Sequence, residues 1–189
     1  MSTYQLTLPP HTVETAHASA SALLEKAQKQ LGFVPNMYAR MAQLPGLLES
    51  YSAGYEAFRS QGGFAPPEQE VVLITISRDN QCRYCVAAHS MIGKHVTKVP
   101  EDVLTALRAG AAIADPRLAA LSTFTSQMLA SRGNPTAEQV ATFLRAGFEE
   151  RHVLAIVLAI SVKTISNYAN HVFHTPIDTA FASFEWNPS

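Results

Sequence analysis

Cys82 and Cys85 are the two cysteines of the chain, separated by Arg83 and Tyr84, and His89 follows four residues later. On an α-helix the positions i, i+3 and i+7 share one face, so both sulfurs and the imidazole converge. Two intervening residues at a helix start let the thiols close into a disulfide. The first-turn amides and the positive end of the helix dipole favour a thiolate there. His89 lies within reach of Cys85 on the same face, as a base or as a charged partner of the thiolate. These residue types in this pattern do thiol–disulfide chemistry. The blander readings are two small buried apolar residues, or zinc. A closed zinc site wants four ligands and three are local, with His95 a fourth only if the helix ended early. No metal is expected. His95, His152, His171 and His174 read as hydrogen-bonded structural histidines.

Composition sets the surroundings for this chemistry. Two cysteines so close together, and no others, are not a secreted disulfide framework. The opening residues, Met1 to Leu6, carry neither a basic region nor an apolar core, so the expected compartment is the cytoplasm. The longest aliphatic run, Val153 to Ile160, falls far short of the about 20 apolar residues of a membrane span. Lys plus Arg is 14 and Asp plus Glu is 15, for a net charge of -1. That balance argues against nucleic acid as a partner. The 189 residues fit one domain, and 47% hydrophobic residues suffice for a real core. Only 15% of residues are charged, against about 25% in an average domain. A surface so poor in charge predicts a homo-oligomer.

The elements that must position the cysteines read as helices throughout, and the predicted class is all-α. A helix is expected over 13–31, ended by Gly32, with a short one opened by Pro35 and a longer one running from Pro45 to Gly62-Gly63. Pro66-Pro67-Glu68 starts a helix broken near Asp79-Asn80, and Asn80 is a plausible N-cap for the cysteine helix that runs to His95. Further helices begin at Pro100 and Pro116, and Thr136 opens one with a capping box. The last two are expected over 149–161 and 162–173. The tail after Pro176 carries Phe181, Phe184 and Trp186, aromatics that predict docking on this chain or a neighbour.

The segment from Glu68 to His89 aligns without a gap on Glu150 to His171. Glu68 meets Glu150, Val71 meets Val153, Ile74 meets Ile156, and His89 meets His171. This predicts a duplicated helix pair, one unit over about 64–95 and one over about 148–174. Cys82 faces Thr164, Cys85 faces Asn167 and Glu70 faces His152, so only the first unit carries redox residues.

Glu70, eleven residues, Cys82-Arg83-Tyr84-Cys85, three residues and His89 make the pattern E-x11-C-x2-C-x3-H. It resembles the alkyl hydroperoxidase D-like branch of the carboxymuconolactone decarboxylase superfamily. Residues 31–51 and 167–178 also resemble segments of its peroxidase-related members. The resemblance implies a multi-helical AhpD-like fold, assembled as a trimer or hexamer. It implies hydroperoxide reduction without haem, flavin or metal: Cys85 attacks the peroxide and becomes a sulfenic acid, and Cys82 resolves it to a disulfide. Glu70 and His89 would form the proton relay. Better-known members place a His just before the second cysteine, where this chain has Tyr84, an accessory candidate at most. Dipole reasoning alone favours Cys82 as the attacking sulfur; the reach of His89 and the resemblance favour Cys85.

A thiol or disulfide-reductase donor must return the electrons. No Gly-rich nucleotide fingerprint is present, so no cofactor is expected. The competing functions are a thiol–disulfide reductase with little peroxidase activity, a carboxymuconolactone decarboxylase-like lyase, and a non-enzymatic oligomeric binding protein. A lyase acting on a small acidic lactone has no need of two redox cysteines.

Overall fold

The computed structural model describes residues 3–188, and among them there are nine α-helices, one short 3-10 helix and no strand. The fold is all-α. In chain order the helices are α1 (Ala18–Leu31), α2 (Asn36–Met41), α3 (Pro45–Gln61), α4 (Pro66–Asp79), α5 (Arg83–His95), α6 (Glu101–Ala109), α7 (Pro116–Ala130), α8 (Ala137–Arg145) and α9 (Glu150–Phe173). The 3-10 helix Thr179–Phe184 lies in the tail.

Helix α4 is the centre. Residues Glu68 to Ser77 are all buried, because α5, α6, α7 and α9 pack around it. A helix apolar on every side, here with Val71, Val72, Leu73, Ile74 and Ile76, can sit only in such a place. Its start is fixed by Pro66 at the first turn and by the Glu68 carboxylate, which accepts from the Ala65 N–H at 2.9 Å. One apolar core joins α4 to α6, α7, α8 and the first half of α9. A second joins α1, α2, α3, α5, the second half of α9 and the tail. Both cysteines lie in the second.

The turn into α5 corrects one expectation. Asn80 does not cap the cysteine helix; it closes α4, with its N–H bonded back to Ile76. Gln81 follows in the left-handed region at φ +58°, and the Cys82 N–H returns to Ser77 O at 2.8 Å. That reversal makes Cys82 the N-cap of α5 and folds α5 onto α4. Asn80 instead uses its side chain to donate to Asn167 on α9 at 3.0 Å.

The expected pair of final helices is one continuous helix, α9. No Gly or Pro interrupts residues 150–173, and nothing there reverses the chain as Gln81 does. The aligned segments therefore differ in form: the first is two helices joined by a left-handed turn, the second a single rod. By length and composition α9 could cross a membrane. Here its inward face buries Lys163, Asn167 and Asn170 against the rest of the chain. The first helix begins at Ala18 rather than Val13, because Thr15 draws the Thr12 N–H into a turn before it.

The tail docks on its own chain. Phe181 is buried edge-on against Tyr84 and Phe33. Trp186 donates its indole N–H to Arg108 O at 2.8 Å. Arg83 holds Glu185 at 2.6 Å.

Candidate active site

Four helices converge on the cysteine pair. From α5 come Cys82 at the N-cap, Cys85 in the first turn and His89 one turn further, all buried. Helix α4 brings Glu70, which has no solvent exposure. Its carboxylate bridges two cations or donors: one oxygen pairs with Arg59 of α3 at 2.5 Å, and the other accepts from His89 Nδ1 at 2.9 Å. Arg59 also donates to Tyr55 at 2.5 Å and to Gln69 at 3.0 Å. Helix α9 brings Lys163, Ser166 and Asn170. The Asn170 side-chain N–H₂ reaches Cys85 Sγ at 3.3 Å, Met37 Sδ at 3.2 Å and Cys82 Sγ at 3.8 Å.

The two sulfurs sit in opposite electrostatic states. Burial pushes the Cys85 thiol up, but the hydrogen bond from Cys82, the charge of Lys163 and the nearby His89 carry it well below the ordinary cysteine value. Cys82 is pushed well above that value by burial, and by its hydrogen bond to Cys85 and the charge there. The arrangement is a Cys82 thiol donating to a Cys85 thiolate. A helix N-terminus alone would have favoured the other sulfur. The hydrogen bond from Cys82, with the charge of Lys163 on the facing helix, reverses that preference.

Glu70 stays a carboxylate: burial raises its pKa, and His89 and Arg59 together bring it below the usual range. Burial and the Lys163 charge lower His89, more than Glu70 raises it. The imidazole is therefore neutral near pH 7. Its Nδ1–H is held by Glu70, which leaves Nε2 as the free base. His89 is a base here rather than a charged partner.

Cys85, His89 and Lys163 line a cleft of about 900 Å³, walled by Tyr38, Tyr51 and Tyr55 and by apolar residues including Leu23, Ala88 and Phe181. Burial raises the phenols of Tyr51 and Tyr55, so both are un-ionised. Cys82 opens the other way. It lines a smaller hollow of about 530 Å³ with Gln81, Arg83, Asn170, His171 and Glu185. Tyr84 stands between the two and lines both.

All four sequence candidates, Cys82, Cys85, His89 and Glu70, come together. Tyr84 does not join them by its hydroxyl, which donates to Asp178 in the tail at 2.5 Å. Asp178 in turn accepts from the Asn36 N–H at 3.1 Å, so Tyr84 ties the tail to α2. Arg59, Lys163 and Asn170 were not foreseen. One signal existed for the last two: Lys163, Ser166, Asn167 and Asn170 place polar residues on one face of an otherwise apolar helix. Among the described residues no group of three or more His, Cys, Asp or Glu could hold a metal ion.

Residues 45–127, which include Glu70, both cysteines and His89, match the carboxymuconolactone decarboxylase family. Over these 83 of its 189 residues the chain is similar to that family, and the matched stretch holds the whole E-x11-C-x2-C-x3-H pattern. No curated protein matches it in sequence. Its fold is that of a peroxidase-related protein of Ralstonia eutropha JMP134 with an alkylhydroperoxidase AhpD core. The two are 22% identical with a TM-score of 0.82, over 92% of this chain and 93% of that one. A peroxidase-related protein of Silicibacter sp. TM1040 aligns over 94% and 93%, at 19% identity and a TM-score of 0.79. The debrominase Bmp8, solved as a cysteine-to-alanine variant with 2,3,4-tribromopyrrole, aligns over 95% and 96%, at 15% identity and a TM-score of 0.77. Proteins that share this fold thus differ in what they act on.

Proposed function

We propose that this AhpD-like protein is a thiol-dependent peroxidase that reduces hydrogen peroxide or organic hydroperoxides. The observation that carries the reading is the pairing of a thiolate-favouring Cys85 with a protonated Cys82 in the wall of a cleft. The Cys85 thiolate attacks the terminal peroxide oxygen, the O–O bond breaks, and the sulfur is oxidised to a sulfenic acid. His89 Nε2 takes up a proton from solvent and delivers it to the departing alkoxide, giving an alcohol. Cys82 then attacks the Cys85 sulfur, its proton leaves with the hydroxyl as water, and a disulfide remains. Lys163 stabilises the thiolate, and Glu70 orients His89.

The test counts thiols and peroxide together. One equivalent of peroxide consumes two thiols in the wild type. Cys82→Ser still consumes one equivalent, but stops at a sulfenic acid that a dimedone-type reagent traps. Peroxide loss with both wild-type thiols intact would overturn the reading.

The size of the cleft favours a second reading. Hydrogen peroxide needs little more room than one water, about 30 Å³, whereas this cleft takes a ring-sized substrate between tyrosines. The fold shared with a debrominase makes reductive dehalogenation the alternative. Thiolate attack on an aryl bromide's bromine, with a proton taken up by the ring carbon, would give a sulfenyl bromide. Cys82 would then displace bromide and form the same disulfide. Bromide release from 2,3,4-tribromopyrrole, measured beside peroxide consumption, separates the two.

The same protein is proposed to act in the cytoplasm, with no nucleic acid or membrane partner, as a trimer or hexamer. Leu154, Val157, Tyr168 and Val172 form an exposed apolar stripe along the outer face of α9, a surface that suits a second copy of this chain. Light scattering should return a multiple of 20.5 kDa, and Leu154→Glu with Val172→Glu should return the monomer. A monomeric wild type at micromolar concentration would refute the assembly.

A further inference from the structure

We propose that the Cys82–Cys85 disulfide is reduced from a different cavity than the one that Cys85 lines: a low-molecular-weight polar thiol enters the smaller hollow and attacks Cys82 Sγ. The inference rests on the disulfide chemistry proposed above, and it assigns a second ligand site to that chemistry.

Access divides the two sulfurs. Cys85 lines the large tyrosine-walled cleft and not the small hollow; Cys82 lines the hollow and not the cleft. The hollow has a different chemistry, with Gln81, Arg83, His171 and Glu185 at its wall. It suits a charged or zwitterionic thiol better than an apolar hydroperoxide. Cys82 is only 1% exposed, so a thiol fixed on the surface of a folded partner cannot reach it. A small molecule that fits about 530 Å³ can.

An unused polar group points the same way. Asn170 turns its N–H₂ to the sulfurs, and its carbonyl oxygen is buried with no hydrogen-bond partner among the described residues. Asn170 lines the hollow beside Cys82. Its oxygen is an acceptor for the S–H or N–H of an arriving thiol.

Leaving-group chemistry agrees. Thiol–disulfide exchange is faster when the departing sulfur is the better-stabilised thiolate. Attack on Cys82 forms a mixed disulfide with the incoming sulfur and breaks the Cys82–Cys85 bond. The electron pair leaves on Cys85, where the charge of Lys163 stabilises it. A second thiol then attacks the outer sulfur of the mixed disulfide. It leaves as the oxidised, paired reductant, and Cys82 keeps the proton that this thiol gives up. Two reductant thiols supply two electrons, and the site returns to its starting state with the large cleft never blocked.

Filling each side separately tests this. Ala182 lines the hollow and is exposed, and Ala88 lines the cleft. Wild type, Ala182→Trp and Ala88→Phe are oxidised with diamide, then reduced with excess glutathione while thiols are counted. Ala182→Trp should slow disulfide reduction by at least ~10-fold while its thiol loss to cumene hydroperoxide keeps the wild-type rate. That retained rate also reports an intact fold. Ala88→Phe should do the reverse. Acid-quenched mass spectrometry should find the glutathione adduct on Cys82. Wild-type reduction kinetics in Ala182→Trp, or an adduct on Cys85, would overturn the two-sided route while leaving the peroxidase reading standing. Failure of diamide to form the disulfide in the wild type would overturn both.

Discussion

Peroxide consumption is expected to vanish in Cys85→Ser and to fall about tenfold at pH 7 in Lys163→Met, with the second loss recovered toward pH 9. The first variant removes the only sulfur held as a thiolate. The second removes the charge that offsets burial around it. An ordinary cysteine, with a pKa of about 8.5, is only about 3% thiolate at pH 7, a deficit of about 30-fold. Buried beside Cys82 without Lys163, Cys85 moves toward that condition. A more basic thiolate is intrinsically a better nucleophile, with a Brønsted coefficient of about 0.4–0.5, which returns part of the loss. Above the new pKa the variant should match or exceed the wild type. Methionine fills nearly the volume of lysine and removes a buried charge, so the fold should persist. Single-turnover oxidation from pH 5 to 9.5, read beside the ultraviolet absorbance of the thiolate, measures both effects. Rate profiles that stay parallel at every pH would show that Lys163 does not set the thiolate.

The grouping of the cysteines with His89 was legible because their spacing is local. Three residues at i, i+3 and i+7 share a face wherever their helix goes, and Cys85 lies beside Cys82 and shares its cleft with His89. Glu70 lies on another helix, and only its spacing within the family pattern pointed to it. Nothing in its own neighbourhood distinguishes a buried ion pair from a solvated first-turn carboxylate. Arg59 was beyond reach for the same reason: its role exists only because α3 lies against the start of α4. Lys163 adds to the Cys82 hydrogen bond in favouring a Cys85 thiolate, and it comes from a helix 78 residues after Cys85 in sequence. Local dipole reasoning alone favours Cys82, whereas the surroundings of the folded site favour Cys85 as the ionised sulfur. The aligned repeat misled in one respect, since aliphatic periodicity is the same in a broken helix and in a continuous one. The break depends on a single residue in the left-handed region, Gln81. Tyr84 was noticed as an exception to the family pattern, but its partner Asp178 lies 94 residues away.

Glu70→Gln is expected to cost about 3 kcal/mol, because it strips one charge from a buried ion pair and leaves the other. The low end of the range applies, since Arg59 keeps a fifth of its side-chain surface in solvent. In a chain of this length that corresponds to a melting temperature lower by about 6–12 °C. The pH dependence identifies the cause. Glu70 has a folded pKa below its unfolded value of 4.5. Its contribution is therefore complete above about 4.5 and is lost as pH falls through the folded value. His89 is also depressed, from 6.5. The unfolded chain takes up that proton first, so acidification below about 6.5 already weakens the fold in the wild type. In Glu70→Gln the step below 4.5 should shrink, and the two melting curves should converge in acid. A gap that stays constant down to pH 3 would mean that packing, and not charge, is what the substitution removed. Catalysis gives the second readout. Without the carboxylate the Nδ1–H of His89 is no longer fixed, and Nε2 no longer points a lone pair at the cleft in a single tautomer. If the two residues act as one relay, Glu70→Gln with His89→Ala is no slower at pH 7 than the poorer single variant. Independent, multiplicative losses would instead assign Glu70 to the fold and leave His89 to act alone.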